Sequence, residues 1–267
     1  MSANPIPSTG VLFRVIWNDT IQVLARMPGL SLICFAIVFC SGFIEPLIDA
    51  DNALLRETVS ASSEILIVPF NVAIYRLLIL NEATFRYDFA IFTQRFRRLL
   101  AWTVGFWLLV NATPYLVGYM TSSDAGRVVV FPAACLIELV AVLRLGLLFP
   151  AIAIDAEGAS VKNALADSRG RVWFILKAFL IWFLPLLLLI FAMAGLTFLR
   201  LGADTSGLSF WSSLPETVFV SLVSLLTTVV AAVTLSRLFL WLGNRLNGSA
   251  SPIGWPRPCL CNSRQRP

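Results

Sequence analysis

Residues 174–199 read FILKAFLIWFLPLLLLIFAMAGLTFL, twenty-six positions with one charge, Lys177. At 1.5 Å per residue a helix of that length exceeds the roughly 30 Å of hydrocarbon in a bilayer. A helix apolar on every side has no face to turn to water, so this stretch is a transmembrane span. Five more apolar stretches lie at about 29–49, 62–81, 99–120, 128–150 and 216–243. The expected fold is therefore an all-α membrane protein with six transmembrane helices. Prolines at Pro69, Pro114, Pro132 and Pro185 interrupt several spans, and kinks or breaks are expected there.

Composition points the same way. Hydrophobic residues make up 58% of the 267 and charged residues 13%, about half the charged share of an ordinary soluble domain. Net charge is +5, from 20 Lys and Arg against 15 Asp and Glu. A nucleic-acid binder would gather those charges into a continuous basic stripe; here they fall in short clusters between spans, which excludes that class. The lipid bilayer is the expected partner.

Positions of the basic residues set an orientation. With the N-terminus inside, Arg86, Arg95, Arg97, Arg98, Lys162, Arg169, Arg171, Arg245, Arg257, Arg264 and Arg266 face the cytoplasm. The outward loops keep only Arg56, Arg127 and Arg200, eleven against three. Cationic segments resist translocation, so both termini are expected to be cytoplasmic. The start of the chain lacks a basic n-region and a clean apolar run, so no cleaved signal is expected.

The segments on the cytoplasmic side carry helical periodicity. In 9–27, Arg14, Asn18, Gln22 and Arg26 recur every four residues, while Phe13, Ile16, Trp17, Thr20, Leu24 and Met27 fill another face. In 85–99, Phe85, Phe89, Phe92, Phe96 and Leu99 form a 4-3-4-3 stripe. In 160–170, Ser160 can cap a short helix and Gly170 can end it, with Val161, Ala164, Leu165 and Ser168 on one side. Each such helix could lie in the membrane interface or dock on the bundle, since both bury the same face.

An internal repeat follows: amphipathic helix, outgoing span, returning span, at about 9–81, 85–150 and 160–243. The returning spans share Ala73-Ile-Tyr-Arg76-Leu77, Ala141-Val-Leu-Arg144-Leu145 and Thr234-Leu-Ser-Arg237-Leu238. Units of identical topology make parallel repeats about an axis along the membrane normal. Residues 1–247 form one transmembrane domain, and 248–267, rich in proline, serine and arginine, form a disordered tail.

Pro150-Ala-Ile-Ala-Ile-Asp155, Ala164-Leu165 and Ser168-Arg169-Gly170-Arg171-Val172-Trp173 resemble a bacterial family of multi-pass inner-membrane proteins. That family is related to the membrane domain of some glycerophosphodiester phosphodiesterases. Pro69-Phe70, Val72-Ala73, Arg76 and Glu82 resemble a second stretch of the pattern. The resemblance implies a six-helix inner-membrane module. It does not import the phosphodiesterase activity, whose soluble domain and histidines this chain lacks.

Ionisable groups inside a span cost about 2.5–3.5 kcal/mol at the helix centre, so each needs a reason. Glu138 stands mid-span, as a proton or cation site or as hydrogen-bonding glue between helices. Asn71 and Asn111 are also near mid-span, and Arg144 sits about four positions inside its span's end. Arg76, Arg144 and Arg237 could line an anion-binding vestibule or snorkel to headgroups; for Arg237 snorkelling alone suffices. Ser221, Ser224, Thr228 and Ala231 make a small-residue face suited to packing. Asp155 and Glu157 read as a turn leading into a helix.

No nucleophile–base pair, carboxylate pair, phosphate loop or metal spacing is visible, and histidine is absent. Cys34, Cys40 and Cys135 pack as small hydrophobes, and Cys259 and Cys261 are too few for a zinc site. No catalytic residue, metal or cofactor is expected. The leading expectation is a non-enzymatic inner-membrane module supporting a partner, another membrane protein, or an envelope process. The alternative is a transporter of a small solute or lipid-like anion with a mid-membrane site. A cavity reaching Glu138 would favour the transporter, and a packed centre the module.

Overall fold

The computed structural model describes residues 8–48, 52–83, 94–120, 124–201 and 210–248. Its elements are α1 (Thr9–Arg26), α2 (Pro28–Ile44) continued by a 3-10 turn (Glu45–Leu47), α3 (Ala53–Leu80), α4 (Gln94–Met120), α5 (Asp124–Leu145), α6 (Leu148–Ala153), α7 (Val161–Asp167), α8 (Val172–Leu201) and α9 (Phe210–Leu242). The described residues contain no strand. Six stretches are long and apolar enough to cross a bilayer, carried by α2, α3, α4, α5 with α6, α8 and α9. The chain is a multi-pass membrane protein.

Local chemistry places the joints. Pro28 opens α2, where its missing N–H is no loss. Asn81, left-handed at φ 56°, ends α3 and donates its N–H to the Arg76 carbonyl. Ser160 caps α7, its side chain accepting from the Asn163 N–H, as the sequence predicts. Helices α3, α5 and α8 run unbroken through Pro69, Pro132 and Pro185. The break falls instead after Leu145, at Gly146, where a Cβ would sit 2.9 Å from Leu235 of α9.

Packing follows chain order around a ring. Helix α2 packs on α3, α3 on α4, α4 on α5, α5 on α8, α8 on α9, and α9 returns to α2, with a further contact of α3 on α9. Most buried side chains lie in the half of the bundle that holds the described ends of the chain. They include Phe70 and Ile74 of α3, Ala178 of α8, and Val233, Leu238 and Phe239 of α9. The perimeter is apolar and exposed, as with Val129, Leu136 and Ile137 on α5 and Leu188 and Phe191 on α8. In water that surface would aggregate; against acyl chains it is in its proper solvent.

Helix α1 docks on the bundle and has three faces. Leu12, Ile16, Thr20 and Val23 are buried, chiefly against α9. Phe13, Trp17 and Ile21 stay partly exposed along one flank, and Arg14, Asn18 and Gln22 along another. Phe13 and Trp17 stack on Trp182 of α8 at 4.4 and 5.4 Å. In the second predicted amphipathic segment, Phe85, Phe89 and Phe92 lie outside the described residues. Its last two members, Phe96 and Leu99, are buried within α4, which already begins at Gln94. Of the third, Ala164 and Ser168 are buried, but Val161 is exposed.

Candidate functional site

The arginines of the three returning spans do not reach for headgroups alone. Arg237 on α9 forks onto Asp19 of α1, Nη2 donating to Oδ1 at 2.8 Å and Nε to Oδ2. The Asp19 side chain is 8% exposed and that of Arg237 24%, so water screens the pair weakly. Snorkelling is therefore the wrong account of Arg237: an acid on the first helix meets it. Arg144 donates from Nη2 to the Leu165 carbonyl of α7 at 3.0 Å, and its Nε faces Ser168 at 3.4 Å. Arg76 donates to the Ala153 carbonyl at 3.3 Å and pairs with Glu82. Arg144 thus hooks the helix that opens the third repeat unit, and Arg237 hooks the one that opens the first.

Arg144 occupies the last turn of α5, beside α7, while the membrane-crossing stretch continues through α6 to Ala153.

Glu138 is half-buried and meets Thr113 of α4, whose hydroxyl also lies 3.0 Å from the Leu109 carbonyl. That contact ties α4 to α5, worth about 1 kcal/mol for an interhelical hydrogen bond. Asn111 turns back on its own helix, Nδ2 donating to the Trp107 carbonyl at 2.9 Å. Glu138, Asn111 and Arg144 consequently have separate partners, and with Asn71 they do not assemble into one polar site.

A different group of polar residues does assemble. A cavity of about 300 Å³ lies between α3, α4, α6 and α9. Its polar wall is Glu64, Asn71 and Tyr75 of α3, Thr103 of α4, and Thr227 and Thr228 of α9. Positions 64, 67, 68, 71 and 75 share one face of α3, and 227, 228, 231, 232 and 235 share one face of α9, so two helical stripes confront each other across it. From Glu64 to Tyr75 the stripe runs about 16 Å by helical rise. The Asn71 amide oxygen is buried and accepts no hydrogen bond. Tyr75 is 4% exposed, and among the described residues its hydroxyl donates to no neighbour. The small-residue face predicted for packing is in part this wall, since Thr228 and Ala231 both line it.

Glu64 escapes a reading of the sequence that starts the span at residue 62, because it then looks like an edge residue. Helix α3 begins at Ala53, so Glu64 is well inside it. The available signal was the seven- and four-residue spacing of Glu64, Asn71 and Tyr75.

Outside the bilayer-spanning helices, Asp167 ties down the turn that follows α9. Its carboxylate accepts from the Arg245 N–H at 3.0 Å and the Leu246 N–H at 3.0 Å. Burial pushes this carboxyl up from its ordinary value, while those two amides and the charges of Arg245 and Arg171 pull it down. Among the described residues no group of acids and cysteines is arranged to hold a metal.

The fold and this chamber define a class, a helical multi-pass membrane protein with a partly open cavity between its helices, lined by apolar residues and a few polar groups. The chain matches no family model, no curated protein and no solved structure.

Proposed function

We propose that this is a bacterial inner-membrane protein without catalytic chemistry of its own, which takes up a small polar solute in the chamber between α3, α4 and α9. The observation that carries the reading is that chamber. A purely supporting module gains nothing from a hole that leaves the buried Asn71 amide oxygen unpaired, because such a group costs about 1–3 kcal/mol. A ligand that satisfies it recovers the loss. The lining contains a carboxylate and no lysine or arginine, which argues against the lipid-like anion. Because Glu138 is engaged with Thr113, it belongs to helix packing in this reading.

The inner-membrane assignment is supported by the resemblance around Pro150–Asp155 and Ser168–Trp173 and by the arginine asymmetry. Reporter fusions at Asp51, Asp124, Asp204 and the C-terminus test the orientation. The first three should report periplasmic and the last cytoplasmic; a cytoplasmic signal at Asp124 would overturn the topology. For the solute reading, purified protein in liposomes should accelerate exchange of at least one member of a panel of small amines, alcohols, amides and acids. Rates equal to protein-free liposomes across the panel would return the chain to the supporting-module reading.

A further inference from the structure

We infer that the chamber is selective for a small organic monocation, a primary alkylammonium, with Glu64 as its counter-charge. This rests on the solute reading above and specifies its ligand.

The wall is rich in acceptors. The hydroxyls of Thr227 and Thr228 donate to the Val223 and Ser224 carbonyls at 2.8 and 3.0 Å, so their lone pairs are what remain for a ligand. Asn71 offers an unpaired amide oxygen. Among the described residues Glu64 has no ion-pair or hydrogen-bond partner, and it is exposed and not packed away. Of the two arginines on α3, Arg56, the nearer to Glu64, donates to the Ile48 carbonyl at 3.3 Å, and Arg76 is engaged with Ala153 and Glu82. A carboxyl within a membrane span is neutral, hydrated or paired, and a cation is the ligand that lets Glu64 ionise there.

The rest of the wall decides which cation. A bare metal ion needs about six or more oxygens to replace its hydration shell. Here Ile67, Val68, Leu99 and Phe149 stand between the polar groups. An ammonium group needs only three acceptors, and its alkyl chain takes the apolar wall. With the ammonium at Glu64, the chain extends along α3 toward Tyr75.

The same headgroup chemistry could arrive as a free amine or as the ethanolamine of a phospholipid, and the choice of lipid separates the two. Full-length protein in phosphatidylcholine nanodiscs is titrated calorimetrically with n-butylammonium, n-butanol, butyrate and potassium. Butylammonium should bind saturably and raise the Tm. Butanol, butyrate and potassium should each bind at least tenfold more weakly. Glu64→Gln should lower butylammonium affinity at least tenfold while leaving the unliganded Tm and helical content unchanged. If that variant fails to fold, Thr228→Val, which removes one acceptor and keeps the shape, should lower affinity severalfold. Replacing phosphatidylcholine with phosphatidylethanolamine should leave affinity unchanged for a free-amine site and weaken it for a lipid-headgroup site.

Equal binding of butanol, butyrate or potassium would overturn the cation assignment while the chamber remains a solute site. So would Glu64→Gln with undiminished affinity. If no probe binds and no solute in the liposome panel moves, the solute reading falls as well.

Discussion

Replacing Asp19 with alanine should lower unfolding stability by about 3–5 kcal/mol, the cost of stranding one member of a buried ion pair. Asp19 and Arg237 are joined by a two-pronged contact, and both side chains are mostly shielded. Removing the acid leaves the guanidinium in a poorly solvated seat beside α1. Arg237→Ala should cost a similar amount, and the double substitution should cost clearly less than the two losses added. Denaturant titration in micelles measures this, with helical content as the signal. A loss below about 1 kcal/mol for each single change, with simple additivity, would show the pair behaving like an exposed one.

The other large effect is expected at Gly158. A Cβ there would lie 2.0 Å from the Arg245 carbonyl oxygen and 2.7 Å from that of Leu246. Both obstacles are backbone, so no side-chain rotation relieves the clash. Gly158→Ala must therefore lift the turn after α9 off the loop between α6 and α7. With it go the two amide bonds to Asp167 and the contact of Asn163 with the Arg245 carbonyl. A loss on the order of 3–5 kcal/mol is expected, together with faster proteolysis at Arg245. Gly105→Ala is the control: nothing lies within 4 Å of its added methyl, and the helix should gain about 0.5–1 kcal/mol. If the two variants have the same midpoint and the same protease resistance, the docked turn contributes nothing.

Much of this architecture was legible in the sequence because the bilayer imposes it. Six apolar runs became six spanning helices, and Ser160 became the cap it was expected to be. Helix ends were less legible. The apolar run of α3 was read from residue 62, whereas the helix begins at Ala53 and its membrane-crossing stretch at Leu55, because Thr58, Ser60, Ser62 and Glu64 dilute the hydropathy there. The repeated arginine was visible, but its partners were not. Asp19 lies 218 residues from Arg237, and nothing in a periodic pattern joins positions so distant. The chamber was hidden for the same reason, since Glu64, Thr103 and Thr228 are brought to one wall only by packing of α3, α4 and α9. Mid-span rank, which singled out Glu138, measures depth and not what a side chain faces.

The hook between α9 and α1 has a consequence for how the protein is made. The ribosome emits Asp19 near the start and Arg237 more than two hundred residues later. At about 5–20 residues per second that interval lasts on the order of 10–40 seconds. Throughout it the first helix has no basic partner on α9 and no apolar seat there for Leu12, Ile16 and Val23. The nascent chain is therefore an open arc, closed into a circle by its last helix. Any chain released before α9 emerges keeps its opening helix unseated, with an acid and an apolar stripe on view. That is a mark by which quality control can tell a broken chain from a finished one.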